Sequence, residues 1–194
     1  LSNFTSHIFS FNMGGLAGFP NIKDFVNRKN PAIIALQELK IKKVTKKIKD
    51  LAPPKGYHLL ITDRPSLTQG LYDVAFLIRD GLTYSKLPNI TSDTSNVGIK
   101  ISTTNHTIYI YNIYARDKDL DLNLLTHFKH DLHQVMVLGD YNARHIELLP
   151  HTRKTPCNHN GKLLYDYLQS PLQLDWCIIN EYSMDQYTRA SDDS

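Results

Sequence analysis

The sequence predicts one domain of the mixed α/β class, and three observations support this prediction. Short apolar segments rich in β-branched and aromatic residues recur along the chain, as expected of strands. Between several of them lie segments whose apolar residues are three or four positions apart, which is the spacing of one helix face. A chain of 194 residues can also bury about 70% of its unfolded surface without disulfides or a structural metal. Sheets covered by helices fit this alternation.

Eight apolar runs are predicted as strands. They are residues 7–11, 32–36, 57–61, 74–78, 97–101, 108–114, 135–138 and 176–179. The fourth, fifth and sixth runs follow one another with turn residues between them. We therefore predict that these three strands are antiparallel neighbours.

Four helices are predicted between the strands. The first covers residues 21–28 after Pro20. The second has an apolar face formed by Ile41, Val44, Ile48 and Leu51. The third covers residues 119–133 and the fourth covers residues 161–169. Because neither a repeat nor a linker interrupts the pattern, residues 1–194 are predicted to form a single domain.

Composition excludes several classes of protein. No apolar run approaches the ~20 residues of a membrane span, and the charged fraction of 21% without a low-complexity tract argues against wholesale disorder. Two cysteines are too few for a disulfide framework or a zinc site of four thiolates, which favours a reducing compartment. The chain begins at Leu1 without a signal peptide, so we expect an internal piece of a longer polypeptide that is not secreted.

Polar residues cluster where predicted strands end, which is where α/β folds carry reactive side chains. The segments are Phe11-Asn12-Met13-Gly14-Gly15, Leu36-Gln37-Glu38, Tyr111-Asn112-Ile113-Tyr114-Ala115, Gly139-Asp140-Tyr141-Asn142 and residues 158–161. Each is weak alone, since a carboxylate such as Glu38 after an apolar strand is more often structural than a ligand. As a set, they are expected to converge at one edge of the sheet.

Together these segments resemble the endonuclease/exonuclease/phosphatase superfamily, the group of exonuclease III and DNase I. The resemblance is greatest to the endonuclease domain of non-LTR (LINE-type) retrotransposons and covers almost the whole chain in order. It includes VAFLIRDGL at residues 74–82, the Gly139-Asp140-Tyr141-Asn142 segment with its trailing His145, and Asn160-Gly161 followed by residues 176–180. The resemblance implies a DNase I-like, four-layered α/β/β/α sandwich that lacks its C-terminal strand and catalytic loop.

The resemblance also implies a role for each matching residue. Glu38 would bind a divalent metal ion, Mg²⁺ with Mn²⁺ as a substitute, because this hard cation needs only one or two carboxylates. Asn12 would orient the metal shell or the phosphate, and Asp140 would position or deprotonate the attacking water. Asn142 would bind the phosphate or orient Asp140. Tyr114 would donate to a phosphoryl oxygen as negative charge grows there.

Two departures from the family pattern affect these expectations. Arg116 stands where a proline usually follows the Asn-Ile-Tyr-Ala segment. The family completes its site with a Ser-x-x-Asp strand and a terminal Ser-Asp-His, and this chain stops at Ser194 before either. We therefore expect the chain by itself to be weakly active or inactive and its full-length parent to be a nuclease. His145 is expected to be a structural loop residue.

A basic segment follows Glu38. Six lysines fall within residues 40–49, and the next acid is Asp50. Two interpretations stay open at this point. The lysines form a solvated helix face, or they form a phosphate-contacting patch in which Lys40, Lys43, Lys46 and Lys47 bind nucleic acid.

These expectations combine into one function, a Mg²⁺-dependent endonuclease domain of a non-LTR retrotransposon polyprotein. It would nick double-stranded DNA in the nucleus, after synthesis in the cytoplasm, and leave a 3′ hydroxyl as a primer. Its expected partners are the element RNA and a reverse transcriptase in the same polyprotein, with no membrane. Two alternatives are a phosphoesterase of the same superfamily acting on a lipid or inositol phosphate, and a decayed copy that binds nucleic acid without cutting it.

Overall fold

A computed structural model of the chain describes residues 7–42, 53–63, 70–102, 106–116, 120–127, 134–148 and 156–170. The chain divides into two compact units, Leu1–Tyr141 and Asn142–Ser194. The described strands are β1 (Ile8–Asn12), β2 (Ile33–Gln37), β3 (Tyr57–Ile61), β4 (Ala75–Arg79), β5 (Ser85–Lys86), β6 (Ser95–Ser102), β7 (Thr107–Tyr114) and β8 (Gln134–Asp140). The helices are α1 (Phe19–Lys29) and α2 (Leu122–His127) in the first unit and α3 (His159–Gln169) in the second, with a 3-10 turn at Leu16–Gly18.

The strands of the first unit form two mixed sheets. The first sheet has the order β1-β2-β4-β3, with β1 parallel to β2 and β4 antiparallel to both of its neighbours. The second sheet has the order β5-β6-β7-β8, with β7 parallel to β8 and the other pairs antiparallel. The predicted mixed α/β fold is therefore confirmed, and each sheet contains one parallel pair.

Alternate residues of the central strands β2 and β4 face opposite sides of the first sheet. On one side, Ile34 and Leu77 pack with residues of helix α1, including Ile22 and Val26. On the other side, residues such as Phe76 pack against the second sheet. In the described part of the first unit, helix α1 packs on the first sheet and the first sheet packs on the second, which gives three successive layers of the predicted sandwich. The prediction of a single domain over residues 1–194 stays a prediction.

Helix α1 has recognisable ends in the sequence. Pro20 lies in its first turn, where the missing N–H costs nothing, and Asn30 ends it in the left-handed conformation with φ of 44°. Helix α2 is shorter than the predicted 119–133 within the described residues. It begins after Asp121, whose carboxylate accepts the backbone N–H of Asn123 as an N-cap does.

Two predictions about the middle of the chain are wrong. Strand β4 is not a neighbour of β6, because β2 and β3 already occupy both of its edges, and the chain crosses to the second sheet after Arg79. The second wrong prediction concerns the start of the second helix, because neither Lys40 nor Ile41 is helical. Lys40 has a left-handed φ of 55°, and Ile41 forms an isolated bridge with Tyr72.

Several predicted elements lie outside the described residues. These are the rest of the second helix at 43–52, the strand at 176–179 and everything after residue 170. Among the residues that are described, no helix is long and apolar enough to cross a membrane.

Candidate active site

Polar residues lie where the strands of the two parallel pairs end, on the same side of both sheets. In the first sheet, Asn12 ends β1 and Glu38 follows β2, and in the second sheet Tyr114 ends β7 and Asp140 ends β8. The carboxyl ends of paired parallel strands lie together, and here the two pairs also meet across the sandwich. The structure therefore brings together four of the five residues that the sequence predicts as catalytic or metal-binding.

Asn12 joins the two carboxylates of the cluster. Its amide nitrogen Nδ2 donates to Glu38 Oε1 at 3.0 Å and to Asp140 Oδ2 at 2.6 Å. Its Oδ1 accepts the backbone N–H of Gly14 at 3.0 Å, which fixes the orientation of the amide. One neutral side chain thus holds a carboxylate of each sheet in place.

Glu38 has an unusual backbone and a stabilised charge. Its φ is 54°, a left-handed conformation that non-glycine residues seldom adopt and that is often found at functional sites. Burial acts to raise the pKa of Glu38, but hydrogen bonds from Lys40, Asn12 and Tyr114 outweigh burial and lower that pKa. The ammonium of Lys40 lies 2.8 Å from Glu38 Oε2. Glu38 is therefore ionised, and the Lys40 ammonium is its cationic partner.

Tyr114 is a buried hydrogen-bond donor to Glu38. Burial raises the pKa of Tyr114 far above its ordinary value, and the neighbouring Glu38 carboxylate raises it further. The hydroxyl is consequently protonated at physiological pH and can donate to an oxygen that gains negative charge.

Gly139 is required for the position of Asp140. Its φ is 140°, which residues with a side chain rarely adopt, and a Cβ there would lie 2.0 Å from the carbonyl oxygen of Ile113 on β7. The backbone N–H of Ala115 donates to the carbonyl of Asp140 at 3.0 Å. The glycine therefore lets β8 approach β7 closely just before the Asp140 carboxylate.

Sequence reasoning singled out the segment containing Asn112 but assigned that residue no role. Asn112 is fully buried, and its Nδ2 donates to the carbonyls of Leu36 and Ala75, which are partners in the other sheet. Its Oδ1 accepts from Gln37 at 2.7 Å. Asn112 therefore ties the two sheets together directly behind Glu38 and Tyr114.

Asn142, the fifth predicted residue, begins the second unit. It has a φ of 44°, a conformation that asparagine tolerates better than most residues. Asn158 donates to the Asn142 carbonyl at 2.6 Å and accepts the backbone N–H groups of Arg144 and Gly161. A Cβ at Gly161 would clash with the Arg144 carbonyl. Asn158 and Gly161 thus fix the Asn142 loop, and the sequence signal for this role is the polar segment at residues 158–161.

The remaining predicted residues are placed less completely. Lys40 is exposed and paired with Glu38, whereas Lys43, Lys46 and Lys47 lie outside the described residues. His145 stacks on Tyr165, with ring centroids 4.1 Å apart, and its Nδ1 accepts the backbone N–H of Glu147. These local contacts agree with the structural loop role predicted for His145.

The donor set at this edge fits a hard divalent cation. Glu38 and Asp140 offer carboxylate oxygens, whereas Asn12 turns its amide nitrogen toward both of them. Mg²⁺ is commonly held by one or two carboxylates while it keeps several waters. Within the described ranges, no group of three or more His, Cys, Asp or Glu side chains is placed to hold a metal ion. A pair of carboxylates is a donor set that such a cation accepts.

The sequence model of the Endonuclease/Exonuclease/phosphatase family matches residues 9–168. No curated protein matches the chain. Among solved structures, the chain is similar to the AP endonuclease LMAP from Leishmania major, with 14% sequence identity and a TM-score of 0.57 over 83% of this chain and 65% of that one. It is also similar to the endonuclease domain of TRAS1, a telomere-specific non-LTR retrotransposon, with 17% identity and a TM-score of 0.58 over 83% and 70%.

A third similar structure is D. rerio TDP2 complexed with single strand DNA product. It has 17% identity and a TM-score of 0.51 over 74% of this chain and 63% of that chain. The chain therefore spans a little less than two thirds of the length of LMAP and of TDP2. These similarities confirm the predicted DNase I-like fold.

Proposed function

Because the chain belongs to the Endonuclease/Exonuclease/phosphatase family, we propose that it is the nuclease domain of a non-LTR retrotransposon protein and hydrolyses a DNA phosphodiester. The observation that carries this proposal is the Asn12 amide, which holds Glu38 and Asp140 together at the edge where both sheets end. Members of this family are hydrolases that act on phosphoester bonds. Such a reaction needs a group that holds a cation beside a group that positions a water. Here the first sheet supplies Glu38 and the second supplies Asp140.

The residues predicted as catalytic share the tasks of the proposed reaction. Asp140 accepts a proton from the attacking water or fixes its orientation, and Asn12 holds the Asp140 carboxylate in that position. The Tyr114 hydroxyl, which donates to Glu38 in the structure, turns its hydrogen bond to a phosphoryl oxygen as negative charge develops there. Asn142 binds the phosphate or orients Asp140.

Glu38 would hold Mg²⁺, with Mn²⁺ able to replace it. When bound, the cation supplies neutralisation of charge on the phosphate and the leaving oxygen. The low pKa of Glu38 keeps its carboxylate ionised over the physiological range, which suits it to this task.

DNA is favoured over a lipid or inositol phosphate by the similar structures. TRAS1 is a retrotransposon endonuclease domain, and the similar TDP2 structure contains a single strand DNA product. We propose double-stranded DNA as the target, and the element RNA and a reverse transcriptase of the same polyprotein as partners. The same cluster argues against a decayed copy, since Asn12, Glu38, Tyr114 and Asp140 are all retained in one arrangement.

Nicking of supercoiled plasmid tests the proposal. The polypeptide encoded by the complete reading frame should convert supercoiled DNA to open circles with Mg²⁺, and EDTA should stop the conversion. A polymerase should then extend the nick, since a primer requires a 3′ hydroxyl. Hydrolysis of an inositol phosphate with no nicking of DNA would favour the lipid-type phosphoesterase, and DNA binding without hydrolysis would favour the non-catalytic copy.

A further inference from the structure

A buried ion pair lies beside the cluster and has no part in the roles described above. Asp73 precedes β4 and is fully buried, and Arg116 follows β7 with 16% of its side chain exposed. Arg116 donates from Nη2 to Asp73 Oδ2 at 2.6 Å. The pair therefore links the loop that enters the first sheet to the loop that leaves the second.

Asp73 also holds the backbone that follows Glu38. The carbonyl of Asp73 accepts the N–H of Leu39 at 3.1 Å. Glu38 and Lys40 both have left-handed φ values, so this turn needs external support to persist. Asp73 supplies that support from the next strand.

Arg116 contacts the other side of the cluster. Its guanidinium carbon lies 5.9 Å from the centre of the Tyr114 ring, within the range of a cation–π interaction. The hydroxyl of Tyr114 donates to Glu38. The contacts thus form a closed ring from Glu38 through the backbone of Leu39 to Asp73, then to Arg116, to Tyr114 and back to Glu38.

We propose that Asp73 and Arg116 are a pair of positioning residues, which hold the Glu38 carboxylate and the Tyr114 hydroxyl in the arrangement needed for metal binding and phosphate hydrolysis. The inference rests on the proposed function of the site. The ion pair holds the loop that follows β7 against the residue that precedes β4.

Stabilisation of the fold does not explain the ion pair between Asp73 and Arg116. Burial raises the pKa of Asp73, and the charge of Arg116 only partly opposes this effect. A carboxylate whose pKa is raised on folding favours the folded state less when it is ionised, so the ionised pair is kept at a cost at neutral pH. A role in placing its neighbours accounts for its retention.

The test is a double-mutant cycle with Asp73→Asn, Arg116→Gln and the double variant, all in the full-length protein. Mn²⁺ affinity is measured by electron paramagnetic resonance, and kcat and KM are measured for plasmid nicking. We expect each single variant to weaken Mn²⁺ binding about tenfold, as loss of a residue behind a metal ligand does. We expect kcat to fall with KM for DNA unchanged, and the double variant to lose no more than either single variant.

Arg79→Gln is the matched control, because Arg79 donates to the Asn30 carbonyl at the other end of the first sheet. It should leave Mn²⁺ affinity and kcat unchanged. If a single variant fails to fold, Arg116→Lys keeps the charge and should give Mn²⁺ affinity between those of the wild type and Arg116→Gln, measured on folded protein.

Three results would overturn the inference. One is wild-type Mn²⁺ affinity and kcat in folded Asp73→Asn and Arg116→Gln, which would leave the pair a purely structural role. Another is a raised KM and a reduced salt dependence for Arg116→Gln alone, which would mean that Arg116 binds DNA directly. The third is additive losses in the double variant. Failure of the proposed function looks different, because the wild type would then bind Mn²⁺ but not nick DNA.

Discussion

The two ends of the first sheet use the same types of side chain for different purposes. At the end near the start of β2, Tyr57 donates to the Pro31 carbonyl at 2.6 Å and Arg79 donates to the Asn30 carbonyl at 3.0 Å. At the end near Glu38, Tyr114 donates to a carboxylate and Arg116 pairs with another. Both ends therefore use a tyrosine and an arginine, but it is at the end near Glu38 that Glu38, Asp73 and Asp140 come together.

At these two ends, the charge of the hydrogen-bond partner distinguishes a structural contact from a contact in the candidate site. Burial raises the pKa of both tyrosines, and Glu38 raises that of Tyr114 further. Backbone carbonyls are neutral and already fixed by the strands, so the contacts of Tyr57 and Arg79 add rigidity. Ionised side chains held close together can bind a cation and an attacking water, so the same side-chain types support chemistry at the other end.

The largest expected effect is loss of nicking on removal of either carboxylate. Glu38→Ala and Asp140→Ala should each lower Mg²⁺-dependent plasmid nicking by about 10³-fold or more, because one loses the cation and the other the group that prepares the water. Circular dichroism should show intact folding. Asp80→Ala is the control, since Asp80 is exposed and contacts His58 at the opposite end. Nicking retained by both site variants would refute the site assignment.

The next effect concerns the backbone that carries Asp140. Gly139→Ala should lower the free energy of unfolding by about 3 kcal/mol, because it adds backbone strain and a clash with the Ile113 carbonyl. Chemical denaturation measures this loss. Gly81→Ala at the opposite end is the control. Gly81 has φ of 86° with no atom near a Cβ, so only about 1 kcal/mol is expected from strain. Equal losses in the two variants would show that β8 does not need its close approach to β7.

Removal of the hydroxyl from each of the two tyrosines tests the comparison directly. Tyr114→Phe should lower kcat for nicking by about 10²-fold, as loss of one donor to a developing charge does. Tyr57→Phe should leave kcat unchanged but lower the free energy of unfolding by about 1 kcal/mol, because the buried Pro31 carbonyl loses its donor. The two variants differ from wild type by one hydroxyl each. A loss of activity in Tyr57→Phe as large as in Tyr114→Phe would contradict the division into scaffold and site.

The strands, and the polar residues that meet at their ends, could be predicted from the sequence wherever the side chains follow the strand pattern. Asn12, Glu38, Tyr114 and Asp140 were predictable because each lies at or directly after the end of an apolar run. Strand β5, Ser85–Lys86, was missed because two polar residues paired through their backbone leave no hydrophobic pattern. The pairing of β4 was wrong because order along the chain does not specify which sheet a strand joins.

The support of the site was less predictable than the site itself. Asp73 adjoins an apolar run and reads as a turn residue, and its partner Arg116 is 43 positions away. Only the folding of both sheets brings this pair together, so no local spacing could reveal it. Asn112 was part of a recognised segment, yet its role depends on Leu36 and Ala75, which belong to the other sheet.

A smaller effect is expected from the basic segment, whose Lys46 and Lys47 lie outside the described residues. If these lysines bind phosphates at the site end, the double change Lys46→Glu, Lys47→Glu should reduce the slope of log affinity for DNA against log salt by about 2. Fluorescence anisotropy over a salt series measures this slope. The control is Lys23→Glu, Lys29→Glu on helix α1, which changes the charge equally. An unchanged slope in the first double variant would leave these lysines as a solvated surface.

The smallest expected effects come from the ion pair between Lys40 and Glu38. Lys40 lowers the pKa of Glu38, and its ammonium also lies where the metal ion would bind. The folded-state pKa of Glu38 is lowered, so its ionisation stabilises the fold above its ordinary pKa of about 4.3, and this contribution is lost as pH falls through the folded value. Lys40→Met removes one of the groups that lower that pKa. The pH at which Mn²⁺ binding fails in acid should therefore move upward.

At pH 7 the same change should act in the opposite direction. Glu38 is ionised with or without Lys40, and the ammonium 2.8 Å away no longer competes with the cation. Mn²⁺ binding should tighten by roughly twofold to fivefold, the range for an exposed ion pair. Lys42→Met is the control, since Lys42 is also exposed. Weaker Mn²⁺ binding at both pH values would mean that Lys40 helps to hold Glu38 in its metal-binding position, and the ammonium would then belong to the site and not compete with the metal ion.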